Sequence, residues 1–225
     1  MIPEYLLYTD NVITGFEGSP TNVVIPSGFH TIEANAFKNC TSMTLLKLPG
    51  SVSVIGESAF EGCTNLKAHV IPPLLSFIGE NAFSGCSSIT SIYIPKGITH
   101  IQTGTFYRCT SLKKVTLQKT LEAISERSFA ECSALTSIEL PSGIVSIGDG
   151  AFYNTPLKSI VLPDELKSIG IRSFESCSSL TSITIPGSLT SVGDYAFNKC
   201  DRLRLPQIPT TILSMGRYAF WSCRS

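Results

Sequence analysis

Charged residues are scarce in this sequence, and neither sign dominates. Only 15% of the residues are charged, with 17 basic and 17 acidic side chains. A balanced charge creates no long-range attraction toward nucleic acid, an acidic substrate or an anionic membrane. The sequence therefore predicts no nucleic-acid partner.

A long hydrophobic segment is also missing. No apolar run reaches the roughly 18 residues that a membrane-spanning helix needs, so we expect no membrane insertion. Residues 1–10 lack a basic start and a long apolar stretch, so they do not have the form of a signal peptide. Two interpretations stay open: the protein is cytoplasmic, or a signal peptide has been removed.

What the sequence does contain is a repeated Phe-x-x-Cys motif. Successive phenylalanines lie 23 residues apart, except for one interval of 22 between Phe152 and Phe174. A ninth copy, at Phe152, has Thr155 in the cysteine position. Such a period is typical of a solenoid, in which repeats stack on one continuous core. The eight complete copies are Phe37/Cys40, Phe60/Cys63, Phe83/Cys86, Phe106/Cys109, Phe129/Cys132, Phe174/Cys177, Phe197/Cys200 and Phe220/Cys223.

Each repeat also carries apolar residues twelve, eight and five positions before its phenylalanine, such as Ile94, Ile98 and Ile101 before Phe106. The alternation Ile-x-Ile predicts a short strand, which a proline ends in eight of nine repeats. A glycine that follows the last apolar position in six repeats suggests a sharp bend before the Ala-Phe segment.

These patterns predict a leucine-rich-repeat solenoid of nine stacked coils with 22–23 residues each. We expect a parallel β-sheet on one side, and short strands and turns or short helical turns on the other. Residues 1–24 do not fit the repeat and are expected to form an N-terminal cap, while 25–225 form a single solenoid domain that lacks a C-terminal cap. The missing residue at 154–157 predicts a local irregularity.

All eight cysteines share one phase of the repeat, which favours a column of reduced, buried thiols. Disulfides between neighbouring coils are the alternative. Metal binding is not expected, because no histidine shares the phase and no Cys-x-x-Cys pair occurs. His69 stands where other repeats have mostly Leu, Ile or Val, so a buried or end-exposed imidazole is favoured over a ligand. No phosphate loop, H-E-x-x-H or G-x-S-x-G occurs, so the sequence predicts neither an enzyme nor a cofactor.

The repeat unit C-x-x-L-x-x-I-x-(I/L)-P-x-x-(L/I)-x-x-I-G-x-x-A-F resembles the BspA-like leucine-rich repeat family, also called the treponemal-type or TpLRR class. The fit is close at 86–106, 132–152 and 177–197, and it extends over 25–223. Residues 13–26 are similar to the lead-in segment of that family. The resemblance implies a surface or secreted protein that binds host or microbial proteins, and it supplies no site residues because the repeated positions are structural.

Two rows of side chains are candidates for protein binding. The first lies beside the core positions of the predicted strand, where basic residues recur in alternate coils: Lys67, Lys113, Lys158 and Arg204. A groove for an acidic partner is one interpretation, and a solvated polar sheet face is the other.

The second row lies around the phenylalanines of the last three coils and comprises Arg172, Tyr195, Tyr218 and Trp221. Outward Tyr, Trp and Arg are the residue types that dominate binding hot spots. Alternatively they shield the C-terminal end of the solenoid or contact a further repeat.

We therefore expect a non-enzymatic protein-binding module that acts in adhesion or host interaction, with host extracellular-matrix or surface proteins as partners. A repeat region that targets or spaces a larger protein is the first alternative, and a cytosolic scaffold is the second.

Overall fold

The computed structural model describes residues 2–224, and all side chains in this range except those of Ala68 and His69. The prediction for the His69 imidazole therefore lies outside the described side chains. The chain forms nine stacked coils, which we number by their phenylalanines from Phe37 in coil 1 to Phe220 in coil 9. The predicted solenoid is confirmed.

Short strands and turns build every coil, and residues 2–224 contain no helix, so none that could span a membrane. The strands are β1 (Leu6–Thr9), β2 (Val12–Phe16), β3 (Asn22–Val24), β4 (Thr31–Ile32), β5 (Leu45–Lys47), β6 (Val54–Ile55), β7 (Ala68–Val70), β8 (Phe77–Ile78), β9 (Ser91–Tyr93), β10 (His100–Ile101), β11 (Lys114–Thr116), β12 (Ala123–Ile124), β13 (Ser146–Ile147), β14 (Ser168–Ile169), β15 (Ser191–Val192) and β16 (Ser214–Met215).

Two ladders of parallel strands run along the solenoid. The first ladder, which the Ile-x-Ile pattern predicted, consists of β3-β5-β7 and β9-β11 and is reduced to the single bridge Ser159–Ser182 in coils 7 and 8. The second ladder consists of β2-β4-β6-β8 and β10-β12-β13-β14-β15-β16. The more extensive pairing thus lies outside the Ile-x-Ile segment, on the side where the sequence predicted only short strands and turns or short helical turns.

A third set of hydrogen bonds, which we call the turn ladder, joins the segments around the phenylalanines. At each junction between coils, three N–H groups donate to carbonyl oxygens of the next coil: those of the phenylalanine and of the residues two before and two after it. The N–H of Phe37 donates to the Ala59 carbonyl at 2.7 Å, for example. The two flanking residues have a left-handed backbone in all nine coils, with φ between 50° and 72°. This alternation of right- and left-handed residues points the three N–H groups the same way.

The core is a column of stacked phenylalanines surrounded by aliphatic side chains. The eight rings from Phe37 to Phe197 are fully buried. Neighbouring rings in the column lie 5.0–5.8 Å apart between centroids and are nearly parallel. Burial of one such ring contributes about 1.5–3 kcal/mol to stability.

The N-terminal residues extend this column. Strands β1 and β2 form an antiparallel hairpin, and β2 pairs in parallel with β4, which places Ile13 opposite Ile32. Phe16 stacks on Phe37 at 5.6 Å. Part of the segment expected to form a cap therefore stacks in register with coil 1.

The irregularity predicted at 154–157 lies just after the phenylalanine turn. Asn154 keeps its left-handed backbone and its bond to the next coil, and Phe152 still stacks on Phe174 at 5.3 Å. The turn that follows the cysteine in the neighbouring coils is absent at Pro156. The missing residue is thus absorbed outside the phenylalanine column.

The glycines before the Ala-Phe segment precede the turn that the sequence predicted as a bend, and they also serve close packing between coils. None of them has a left-handed backbone. A Cβ atom at any of the six would lie under 3.0 Å from atoms of the preceding coil; the six are Gly56, Gly79, Gly148, Gly170, Gly193 and Gly216. Glycine is required here because the backbones of two coils approach each other directly.

We predict that Gly193→Ala destabilises the protein by about 1–3 kcal/mol, because its methyl group would overlap the backbone of Gly170 and Ile171. Urea unfolding followed by circular dichroism measures the change. Gly187→Ala is the matched control, since a Cβ there meets nothing within 4 Å, and we expect an effect of about 0.5 kcal/mol or less. Equal effects of the two substitutions would contradict the packing explanation.

Candidate protein-binding surfaces

The cysteine column is the first set of groups to consider, because thiols can act as nucleophiles, redox groups or metal ligands. All eight cysteines are free thiols, and seven are buried. Each thiol from coil 2 onward donates to the carbonyl oxygen of the phenylalanine in the preceding coil. The Sγ–O distances are 3.1–3.2 Å for Cys63, Cys86, Cys109, Cys132, Cys177, Cys200 and Cys223.

Burial keeps these thiols protonated. Desolvation raises the pKa of the Cys63 and Cys132 thiols to about 12 and those of Cys177 and Cys223 to about 11. A thiolate is the reactive and metal-binding form, so raised pKa values oppose both kinds of chemistry. In the described residues no group of His, Cys, Asp and Glu side chains is arranged to hold a metal ion. The geometry of the column therefore supports a structural role for the cysteines. Their common position in the repeat was not enough to establish that role.

We predict that iodoacetamide at about pH 8 leaves the buried thiols unmodified and labels all eight only after denaturation in guanidinium chloride. Cys223, which is half-buried, should react first as the pH approaches its pKa of about 11. The sign follows from the raised pKa: folding favours the protonated thiols, and this stabilisation is lost as the pH rises from about 9 through the folded values. Intact mass spectrometry counts the labels, and a mass indicating disulfides would contradict the prediction.

The basic row lies on the first ladder. Lys67, Lys113, Lys158 and Arg204 are all exposed. The backbone N–H of Lys113 donates to the Thr90 carbonyl at 2.9 Å, and that of Arg204 donates to Thr181 at 3.2 Å. The first ladder opens after coil 5, where a cleft of about 580 Å³ lies between β11 and residues 137–139. Lys113, Lys114 and Glu139 line this cleft, which the repeat pattern alone did not predict.

The aromatic row lies on the turn ladder, where its members are in contact. The guanidinium of Arg172 lies 5.4 Å from the centroid of the Tyr195 ring. Tyr195 stacks on Tyr218 at 5.3 Å, and the Tyr218 ring meets Trp221 edge-on at 6.3 Å. Tyr218 and Trp221 are each 57% exposed. The structure thus brings these four residues together, and the basic row belongs to a different ladder.

Sequence reasoning missed a second cluster on the turn ladder. The Tyr107 hydroxyl donates to Glu131 Oε1 at 3.0 Å, and Arg108 Nε donates to Glu131 Oε2 at 2.9 Å. The Arg108 guanidinium also lies 5.0 Å from the Tyr107 centroid. The hydrogen bond from Arg108 holds the pKa of Glu131 below its usual value, and burial together with the Glu131 contact raises the pKa of Tyr107.

A cleft of about 400 Å³ adjoins this cluster, and we call it the coil-5 cleft. Its floor contains Ala130 and Gly150, which are buried. Its remaining lining residues are Tyr107, Glu126, Arg127, Glu131, Asp149, Tyr153, Ile171 and Arg172. Arg172 belongs to both the cleft and the aromatic row, so the two form one continuous surface along coils 4 to 9, which we call the turn face.

Comparison with solved structures agrees with the fold. A leucine rich repeat protein of T. pallidum, TpLRR, is 27% identical with a TM-score of 0.62, and the alignment covers 91% of this chain and 90% of that chain. The pneumococcal vaccine antigen PcpA is 18% identical with a TM-score of 0.54, covering 96% and 77% respectively.

Sequence comparison gives the family directly. No curated protein matches the chain. The pattern of the BspA type leucine rich repeat region, in six copies, matches residues 15–133 and 99–225. This match confirms the resemblance found in the repeat unit, and the chain belongs to the family of BspA type leucine-rich repeat regions.

Proposed function

We propose that this protein is a non-enzymatic binding module that recognises another protein through its turn face. Leucine-rich repeat proteins generally bind proteins, and stacked repeats present extended surfaces suited to this task. The observation that carries the proposal is the contact series Arg172–Tyr195–Tyr218–Trp221, in which exposed hot-spot residue types are held against one another.

Order in this surface favours binding. Long side chains usually lose conformational entropy when a partner immobilises them. Here Arg172 lies 3.5 Å from the buried Glu175 carboxylate, which in turn accepts a hydrogen bond from Asn198 at 2.8 Å. Stacking restricts Tyr195 and Tyr218 in the same way. These side chains are therefore partly ordered in the free protein, so they lose less conformational entropy when a partner binds.

The size of the turn face is also suitable. Coils 4 to 9 span five intervals of 5.0–5.6 Å, or about 26 Å. A standard protein–protein interface covers about 800 Å² on each partner, so a partner that binds here would extend along most of this length.

For location and partner we propose adhesion at the cell surface, with host extracellular-matrix or surface proteins as partners. This part rests on the resemblance to BspA-like proteins, which are commonly surface or secreted proteins. The turn face adds support, since aromatic and arginine side chains suit binding to protein surfaces.

A second candidate surface is the basic row on the first ladder. The cleft beside Lys113 and Lys114 favours it, because two adjacent cations border an opening large enough for a partner side chain. An acidic segment of a partner would fit this chemistry.

A capture assay against host extracellular-matrix and serum proteins separates the two surfaces. We expect the variant with Ser at Tyr195, Tyr218 and Trp221 to lose capture by about a hundredfold, because alanine-type truncation of several hot-spot residues removes most of the binding energy. A variant with Ser at Lys67, Lys113 and Lys158 should retain it. Ser at Lys96, Lys119 and Lys167, which are exposed lysines outside the first ladder, is the matched control.

If capture is lost only in the variant with Ser at Lys67, Lys113 and Lys158, the partner binds the first ladder and not the turn face. If the unaltered protein captures nothing, the adhesion proposal is wrong and the spacer or scaffold interpretation takes its place. Circular dichroism of each variant shows whether the solenoid is intact.

A further inference from the structure

The coil-5 cleft exists because two small residues interrupt rows of large ones. Ala130 occupies the position after the phenylalanine, which is tyrosine in the coils on either side, Tyr107 and Tyr153. Gly150 occupies the position two before the phenylalanine, between Arg127 and Arg172 of the neighbouring coils. The gap is therefore walled by tyrosines and floored by backbone and a methyl group, with charged groups around its rim.

Two other tyrosines of the turn face, Tyr107 and Tyr195, each have an arginine of the same chain over the ring. The Arg108 guanidinium lies 5.0 Å from the Tyr107 ring centroid and is held by Glu131. Arg172 lies 5.4 Å from Tyr195 and is held by Glu175. In both cases a guanidinium lies over a ring and beside a carboxylate: Arg108 donates a charge-assisted hydrogen bond to Glu131, and Arg172 forms a 3.5 Å ion pair with Glu175.

Tyr153 lacks this partner although the other components are present. Within residues 2–224 no guanidinium lies within stacking distance of its ring. Asp149 uses only Oδ1, which accepts the Ile171 N–H at 2.7 Å. Glu126 is 56% exposed and approaches only the neighbouring Arg127, at 4.0 Å. The Tyr153 ring and the carboxylates of Asp149 and Glu126, which have few partners, thus border the open cleft.

The charges around the cleft favour a cation. Three carboxylates line it, those of Glu126, Glu131 and Asp149, against two guanidinium groups, Arg127 and Arg172. Arg172 is already engaged by Glu175 and Tyr195, and Glu131 by Arg108 and Tyr107, which leaves Glu126 and Asp149 against Arg127. A carboxylate entering the gap would therefore face more like charge than opposite charge, and a guanidinium would face groups that accept its hydrogen bonds.

We infer that the coil-5 cleft binds the side chain of an arginine supplied by the partner protein, stacked on Tyr153 and hydrogen-bonded to Asp149. Arginine fits better than lysine because its planar group stacks on a ring and presents several N–H donors at once. The identity of the donor as a partner protein rests on the proposed function, while the recognition of a guanidinium belongs to the cleft alone.

The test uses the whole chain labelled with 3-fluorotyrosine and observed by fluorine NMR. The probe is N-acetyl-arginine methylamide, titrated to about 100 mM at constant ionic strength. We expect a saturable shift of the Tyr153 resonance, assigned by Tyr153→Phe, and no shift of Tyr8, which lies in β1. The citrulline analogue, which is uncharged and similar in shape, should give at most a tenth of the affinity.

Three variants sharpen the test. Asp149→Asn should weaken the probe about tenfold by removing the charged acceptor. Ala130→Tyr places in coil 5 the residue that coils 4 and 6 carry at the same position, and it should abolish the shift by filling the gap. Arg127→Ala removes a competing cation and should leave the affinity unchanged or raise it.

Absence of a saturable Tyr153 shift would overturn the inference, and so would equal shifts with citrulline. The control probe is N-acetyl-aspartate methylamide. If it binds more tightly than the arginine probe, Arg127 and Arg172 bind an acidic group at this cleft instead. Loss of the arginine shift in Arg127→Ala would also overturn the inference, because removal of a competing cation should not weaken the binding of a guanidinium. Because these experiments need no protein partner, their outcome is independent of the capture assay.

Discussion

The turn ladder is the constraint on which the rest of the structure depends. Its three hydrogen bonds at every junction require left-handed backbone on both sides of each phenylalanine, a conformation that costs a non-glycine residue roughly 1 kcal/mol. Most of these positions nevertheless carry side chains, including Arg127, Arg172 and Tyr195. Burial of the phenylalanine between them offsets much of this strain, since the eight rings from Phe37 to Phe197 lose all contact with water. Ring stacking and backbone geometry therefore stabilise each other along the whole solenoid.

The same geometry explains how a repetitive core can display an ordered surface. Because the backbone is fixed on both sides of the phenylalanine, outward side chains of successive coils stand as far apart as the rings beneath them: Tyr195 and Tyr218 lie 5.3 Å apart, and Phe197 and Phe220 lie 5.0 Å apart. That distance suits stacking between aromatic rings and between an arginine and a ring. Contacts such as Arg172–Tyr195 thus follow from the coil spacing once the residue types are in place.

The fold was predictable from the sequence because the buried positions recur at a fixed interval. Phe37 and Ile32, with their counterparts in later coils, lie in the core as their period indicated. Two features were not predictable. The role of Gly193 depends on how closely two coils approach, which spacing along one chain does not give. The thiol of Cys109 bonds to the Phe83 carbonyl of the preceding coil, and a shared phase shows that such groups are neighbours without showing which atoms meet.

The candidate sites follow the opposite logic, because recognition in a repeat protein comes from departures from the repeat. A row of identical residues presents the same chemistry at every coil and cannot fix where a partner binds. Ala130 and Gly150 are ordinary small residues in the sequence, and they become informative only when Tyr107 and Tyr153 are seen on either side. The coils around Tyr107, Asp149 and Arg172 thus differ from the other coils in their outward side chains. A partner that fits these side chains can bind at only one position along the solenoid.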